Sequence, residues 1–183
     1  MSRILITAFE PFGLIGAWVR RANASAQVMS EIEKVNGDSF LYKTLPTTKD
    51  AIPELLETLE AEKPSGILSM GEHLLAFPED IKIEPYAHDT FVSTLPLRHL
   101  FKNKVRSDFV SQMDDQLTSS LIGGYYCNQV YLQSMNWATK NGNVPVAFTH
   151  IPVLGDHEEH TDQVISVLQH MSDYNKTLRG LDR

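Results

Sequence analysis

Short apolar runs alternate along the chain with longer stretches in which apolar residues recur every three or four positions. The first pattern reads as buried strand and the second as amphipathic helix, so their alternation predicts an α/β layered fold. Arg3 to Ala8 predicts a buried first strand, ended by the turn Phe9-Glu10-Pro11-Phe12-Gly13. Asn23 to Val35 predicts a helix with Val28, Ile32 and Val35 on one face and Gly37 as its stop. Ser39 to Leu45 predicts the second strand. Asp50 to Glu62 predicts the next helix, through the stripe Ile52, Leu55, Leu56 and Leu59. Pro53 fits there because the first turn needs no N–H from it.

Gly66 to Met70 predicts a strand closed by Gly71, and Asp80 to Tyr86 a further one with Ile81 and Ile83 opposite Glu84. Thr94 and Pro96 look like a helix start, with Leu97, Leu100 and Phe101 facing inward. Lys104 to Met113 predicts another strand. Cys127 to Lys140 predicts a helix with Val130, Trp137 and Ala138 on a common face. Val144 to Ile151 predicts an apolar strand that runs out at His150-Ile151-Pro152. The last helix starts near Asp156, which with Glu159 forms a capping-box-like pair, and buries Val164, Val167, Leu168 and Met171. From Asp173 the polar tail is expected to fray.

The 183 residues are 42% hydrophobic and 21% charged, values that fit one globular domain over 1–183 and exclude disordered and disulfide-scaffold classes. Sixteen Lys+Arg against 23 Asp+Glu give a formal charge of −7, which argues against nucleic-acid and anionic-membrane partners. No run reaches the ~18 apolar residues of a membrane span. The single cysteine, Cys127, forbids an intrachain disulfide and suits a reducing, cytoplasmic setting.

That cysteine opens a predicted helix. First-turn N–H groups lack an internal partner and carry partial positive charge, which favours a thiolate and can hold an oxyanion. The plainer reading is a small buried hydrophobe. His150 stands at a strand end, where side chains of α/β sheets emerge to react, and a near-neutral imidazole can take and return a proton. The alternative is a histidine satisfied by a backbone bond. Glu84 can orient an imidazole and stabilise its cation, or be an ordinary solvated strand glutamate. Together the three supply nucleophile, base and orienter in the order Glu–Cys–His. Phe9 and Phe12 either join the core or wall a flat apolar pocket. His157 and His160 do not match a zinc-helix spacing, and on a charged helix start they are expected to be solvated.

Taken together, these segments resemble the pyroglutamyl peptidase I family, also called pyrrolidone-carboxylate peptidases. Ile4 to Gly13 is similar to the family's strand and FEPFG turn. Asn23-Ala24-Ser25 resembles the start of its first helix, and Ser93-Thr94-Leu95-Pro96 its STLP element. Tyr125-Tyr126-Cys127-Asn128 resembles its nucleophile motif, and Phe148-Thr149-His150-Ile151-Pro152 its F-x-H-x-P motif. The order matches over nearly the whole chain. The resemblance implies a three-layer α/β/α sandwich with a twisted mixed sheet. It implies removal of an N-terminal pyroglutamate from blocked peptides, with Cys127 as nucleophile, His150 as base and Glu84 as acidic member. Phe9 and Phe12 would wall the substrate pocket. No metal or organic cofactor is implied, and homo-oligomers occur in the family.

The chain departs from the family in places. Pro85 follows Glu84 where the family has arginine, and Leu14 follows Gly13 where it has glycine. Glu72-His73-Leu74-Leu75-Ala76-Phe77 replaces a glycine–arginine loop, and the stretch from Glu84 to Ser93 is shorter than usual. Two alternatives stay open on these grounds: a thiol amidohydrolase for another small acyl or lactam substrate, and an inactive paralogue that binds a ligand in the same cleft. The pH dependence of Cys127 alkylation separates the last from the first two.

Overall fold

The first strand, β1 (Ile4–Phe9), is buried along its whole length and lies between two parallel neighbours. The computed structural model describes residues 3–11, 14–15, 18–19, 22–73, 80–88, 104–113, 126–178 and 180. In chain order the elements after β1 are β2 (Leu14–Ile15), β3 (Trp18–Val19), α1 (Ala24–Asn36), β4 (Leu41–Leu45), α2 (Ala51–Glu62) and β5 (Gly66–His73). Then come β6 (Lys82–Ile83), β7 (Tyr86–His88), β8 (Lys104–Arg106), α3 (Tyr126–Lys140), β9 (Val146–Pro152) and α4 (His157–Leu178).

The main sheet has the order β4-β1-β5-β9-β6, with β6 antiparallel and the rest parallel. It is the mixed sheet expected. β2 pairs with β3 and β7 with β8 as separate antiparallel ribbons. Because strand side chains alternate between faces, β1 feeds two cores. Ile4, Ile6 and Ala8 join Val28, Ile32, Val164, Val167, Leu168 and Met171 on the side of α1 and α4. Leu5 and Phe9 join Leu55, Leu59, Val130, Tyr131 and Trp137 on the side of α2 and α3. This is the expected three-layer sandwich. Among the described residues, no helix is long and apolar enough to cross a membrane.

Local chemistry sets the boundaries. The Asn23 side chain accepts the Ser25 N–H at 3.0 Å and so caps α1, while its Nδ2 donates to the Glu10 carbonyl at 3.2 Å. The Asn-x-Ser motif thus ties the end of β1 to α1. Gly37 ends α1 at φ 50°, and Lys63 ends α2 at φ 44°. Asp156 caps α4 through the Glu158 N–H at 2.8 Å.

Several expectations change. β5 does not close at Gly71; it runs to His73 because Gly71, Glu72 and His73 stay in register with His150, Ile151 and Pro152. The single strand read over 80–86 is two short ones in different sheets. β6 pairs with β9 and β7 with β8, and the break falls at Glu84-Pro85, where proline has no N–H to continue a ladder. The strand read from Lys104 stops at Arg106, since Ser107 turns inward and its hydroxyl donates to the Val146 carbonyl at 2.6 Å. Val35 lies outside the buried face of α1 at 75% exposure; Val28, Met29 and Ile32 carry that face. α4 persists past Asp173 to Leu178, with Lys176 bridging Asp173 at 2.6 Å. The helix start read at Thr94 and Pro96, with Leu97, Leu100 and Phe101, lies outside the described residues, as does Phe12.

Candidate active site

The carboxyl ends of β5 and β9 lie side by side, and α3 begins against them. His150 on β9 pairs in register with Gly71 on β5, so both face the α3 side together with Phe148. Cys127 is the second residue of α3 and is partly buried. A Cβ built on Gly71 would stand 3.1 Å from the Cys127 sulfur and 2.9 Å from Phe148 Cζ. Glycine at 71 is therefore what lets the sulfur settle onto the sheet beside His150.

Glu84 follows β6. Its N–H donates to the Phe148 carbonyl at 2.9 Å, which aims the side chain at the residue two further along β9. Nδ1 of His150 and Oε1 of Glu84 are 2.8 Å apart, and both residues are buried. With the carboxylate ionised, Nδ1–H is the donor, which leaves Nε2 for the thiol. The Cys127 sulfur lies against Gly71, the register partner of His150, and so on the imidazole's side of the sheet. Burial alone would lower the imidazole's proton affinity. Hydrogen bonds to Cys127 and Glu84, and negative charge on both, outweigh it and raise His150 to about 9. Glu84 Oε2 is buried without a hydrogen-bond partner among the described residues, so the imidazolium is the main compensation for that carboxylate.

The structure thus brings Glu84, Cys127 and His150 to one place from three separate segments. Glu84 is fully buried and not a solvated strand residue: its N–H is held by the Phe148 carbonyl, its carbonyl by the Tyr131 hydroxyl and its carboxylate by His150. Phe9 is 2% exposed in the apolar cluster against which Tyr126 and Cys127 pack. His160 is fully buried, which corrects its reading as solvated: it lies on the face of α4 that carries Val164, Val167 and Leu168. His157 sits beside it, ring centroids 6.0 Å apart.

Two neighbours carry no signature in the sequence that marks them as site residues. The His73 ring lies edge-on to His150, centroids 5.3 Å apart, which the alternation of β5 would have shown once its length was known. Glu72 points to the opposite face and accepts the Ala24 N–H at the start of α1 at 2.9 Å.

A mixed α/β/α sandwich with thiol, imidazole and carboxylate gathered at the carboxyl ends of parallel strands defines a class of α/β protein with a cysteine–histidine–glutamate constellation. No protein-family model matches the chain. It is 26% identical over 178 residues to the pyrrolidone-carboxylate peptidase of Gloeobacter violaceus, covering 83% of this chain and 82% of that one. To the one from Brevibacillus brevis it is 28% identical over 186 residues, covering 84% and 80%. The pyrrolidone carboxyl peptidase structure from Thermococcus litoralis superposes with a TM-score of 0.74 at 20% identity, covering 100% of this chain and 97% of that one. Pyroglutamyl peptidase I from Bacillus amyloliquefaciens gives 0.66 at 16% identity, covering 93% and 94%. The chain is a divergent relative of the pyrrolidone-carboxylate peptidases and shares their fold.

Proposed function

We propose that the protein is a cysteine exopeptidase that removes an N-terminal pyroglutamyl residue from peptides. The observation that carries this reading is the buried 2.8 Å contact between His150 Nδ1 and Glu84 Oε1, with the Cys127 sulfur, near the start of a helix, resting against Gly71, the register partner of His150. The names of the relatives supply the substrate class.

The Cys127 sulfur attacks the pyroglutamyl carbonyl carbon, and the oxygen's negative charge is held by first-turn N–H groups of α3, which have no intrahelical acceptor. The C–N bond then breaks as the His150 imidazolium gives its proton to the departing amine, leaving a thioester. Water attacks the thioester while His150 takes its proton, and pyroglutamate leaves with the thiol restored. Glu84 holds Nδ1 and keeps Nε2 directed at the reaction. The pyroglutamyl ring is small, flat and uncharged, so apolar walls suit it. Phe9 and Phe12 are assigned to those walls by the resemblance of the Phe9-to-Gly13 turn. A thiol nucleophile must stay reduced, which fits a cytoplasmic setting.

Cys127→Ser is expected to abolish turnover of a pyroglutamyl reporter amide, and alkylation of the sole cysteine to do the same. Turnover surviving either change would remove the mechanism. A second reading, another small acyl or lactam substrate, rests on the departures in sequence: Pro85 after Glu84, and the replaced loop at Glu72-His73-Leu74-Leu75-Ala76-Phe77. It predicts that a panel of N-acyl amides contains a better substrate than the pyroglutamyl one.

A further inference from the structure

Asn128 directly follows Cys127 and is fully buried. Its Oδ1 accepts the main-chain N–H of His88 at 2.6 Å, and its Nδ2 donates to the His88 carbonyl at 2.8 Å. One side-chain amide thereby serves both main-chain groups of a single residue, as a strand partner would. Three positions along the same face of α3, the Tyr131 hydroxyl donates to the carbonyl of Glu84 at 2.8 Å. The Tyr131 ring also packs against Phe148, centroids 5.9 Å apart, and Phe148 accepts the Glu84 N–H. Burial pushes the Tyr131 phenol well above its ordinary range, so it remains a donor.

α3 therefore grips the segment from Glu84 to His88 at both ends, 47 and 40 residues away in sequence. None of these bonds is used in the chemical steps above. We propose that Asn128 and Tyr131 are positioning residues that set the register between the helix carrying Cys127 and the segment carrying Glu84, so that thiol and carboxylate reach the same imidazole. This rests on the reading of Cys127, His150 and Glu84 as the reacting set.

Loss of either grip frees the carboxylate to shift against the ring, and small misplacements of reacting groups cost rate steeply. Tyr131→Phe deletes one hydroxyl; Asn128→Asp keeps the acceptor and loses the donor. For each, kcat and KM on a pyroglutamyl reporter are measured alongside the rate of Cys127 alkylation by iodoacetamide at pH 7 and the Tm. The expected result is a fall of about tenfold or more in kcat, with KM within about twofold and alkylation slowed. A lowered Tm with kcat and alkylation at parental values would show a purely structural role and overturn the proposal. If the parent enzyme does not turn over the reporter, the functional reading fails by itself, and the alkylation comparison still decides the clamp. If Asn128→Asp does not fold, Tyr131→Phe decides alone.

Discussion

Replacing Glu84 by glutamine tests the centre of the site with little change of shape. The amide oxygen can still accept from Nδ1, but the charge that stabilises the imidazolium is gone. A net charge-assisted hydrogen bond of this kind is worth about 1.5–3 kcal/mol. At about 1.4 kcal/mol per tenfold, the loss in kcat should be roughly 10- to 150-fold. The pH profile is the sharper readout. In the parent, His150 is raised from 6.5 to about 9, so its proton is available to the leaving amine until the pH passes about 9, and kcat falls beyond that. In Glu84→Gln one of the two raising partners is lost while burial still lowers, so the alkaline limb moves to lower pH. The same shift is a stability statement. A group raised on folding stabilises fully below its unfolded value and loses that contribution as pH rises through the folded one. Between pH 6.5 and about 9 the parent should lose at most about 3 kcal/mol from this group, and the variant less. Reporter kinetics and urea titrations across that range provide the measurements. A variant with kcat within threefold of the parent and an unmoved alkaline limb would refute the assignment of Glu84.

Gly71→Ala places a methyl 3.1 Å from the Cys127 sulfur and 2.9 Å from Phe148 Cζ; overpacking of this kind costs about 1–3 kcal/mol, and displacement of the sulfur should lower kcat as well. A parental Tm together with parental kcat would mean that the sulfur does not rest on Gly71. Asn23→Ala removes the α1 cap and the tie to the Glu10 carbonyl, for an expected loss of about 1–2 kcal/mol in urea unfolding. A change near zero would show that water replaces the cap.

The elements with strong periodicity are legible in the sequence. β1, α1, β4, α2, α3, β9 and α4 fall within a few residues of where the sequence puts them, because each carries a buried stripe or run that only one period explains. The region between β5 and α3 is not. Asp80 to Tyr86 looks like one alternating strand, yet Ile81 and Ile83 belong to one core while Ala87 belongs to the other, and Pro85 divides the run between two sheets. Periodicity reports which side a residue buries, not which partner strand it meets. Val35 fails for a related reason: the spacing that predicts a stripe does not say where the neighbouring layer ends.

The same distinction governs the site. Cys127 and His150 each announce themselves locally, one at a helix start and the other at a strand end, and their meeting follows from β9 lying next to β5 under α3. Glu84 has no such local signature. Its surroundings in sequence, Lys82 and Pro85, look like surface, and nothing within ten residues indicates burial against an imidazole 66 positions away. What buries it is tertiary: its N–H is held by Phe148, its carbonyl by Tyr131, and its carboxylate by His150. Three bonds from two different elements fix one residue in a short segment that lacks regular structure at that point. A carboxylate with one oxygen that has no partner among the described residues is costly to hold in the interior, and two main-chain bonds keep it there. That expense is intelligible if the carboxylate acts on the ring it faces, which is why the fate of His150's proton in Glu84→Gln weighs more than any change in stability.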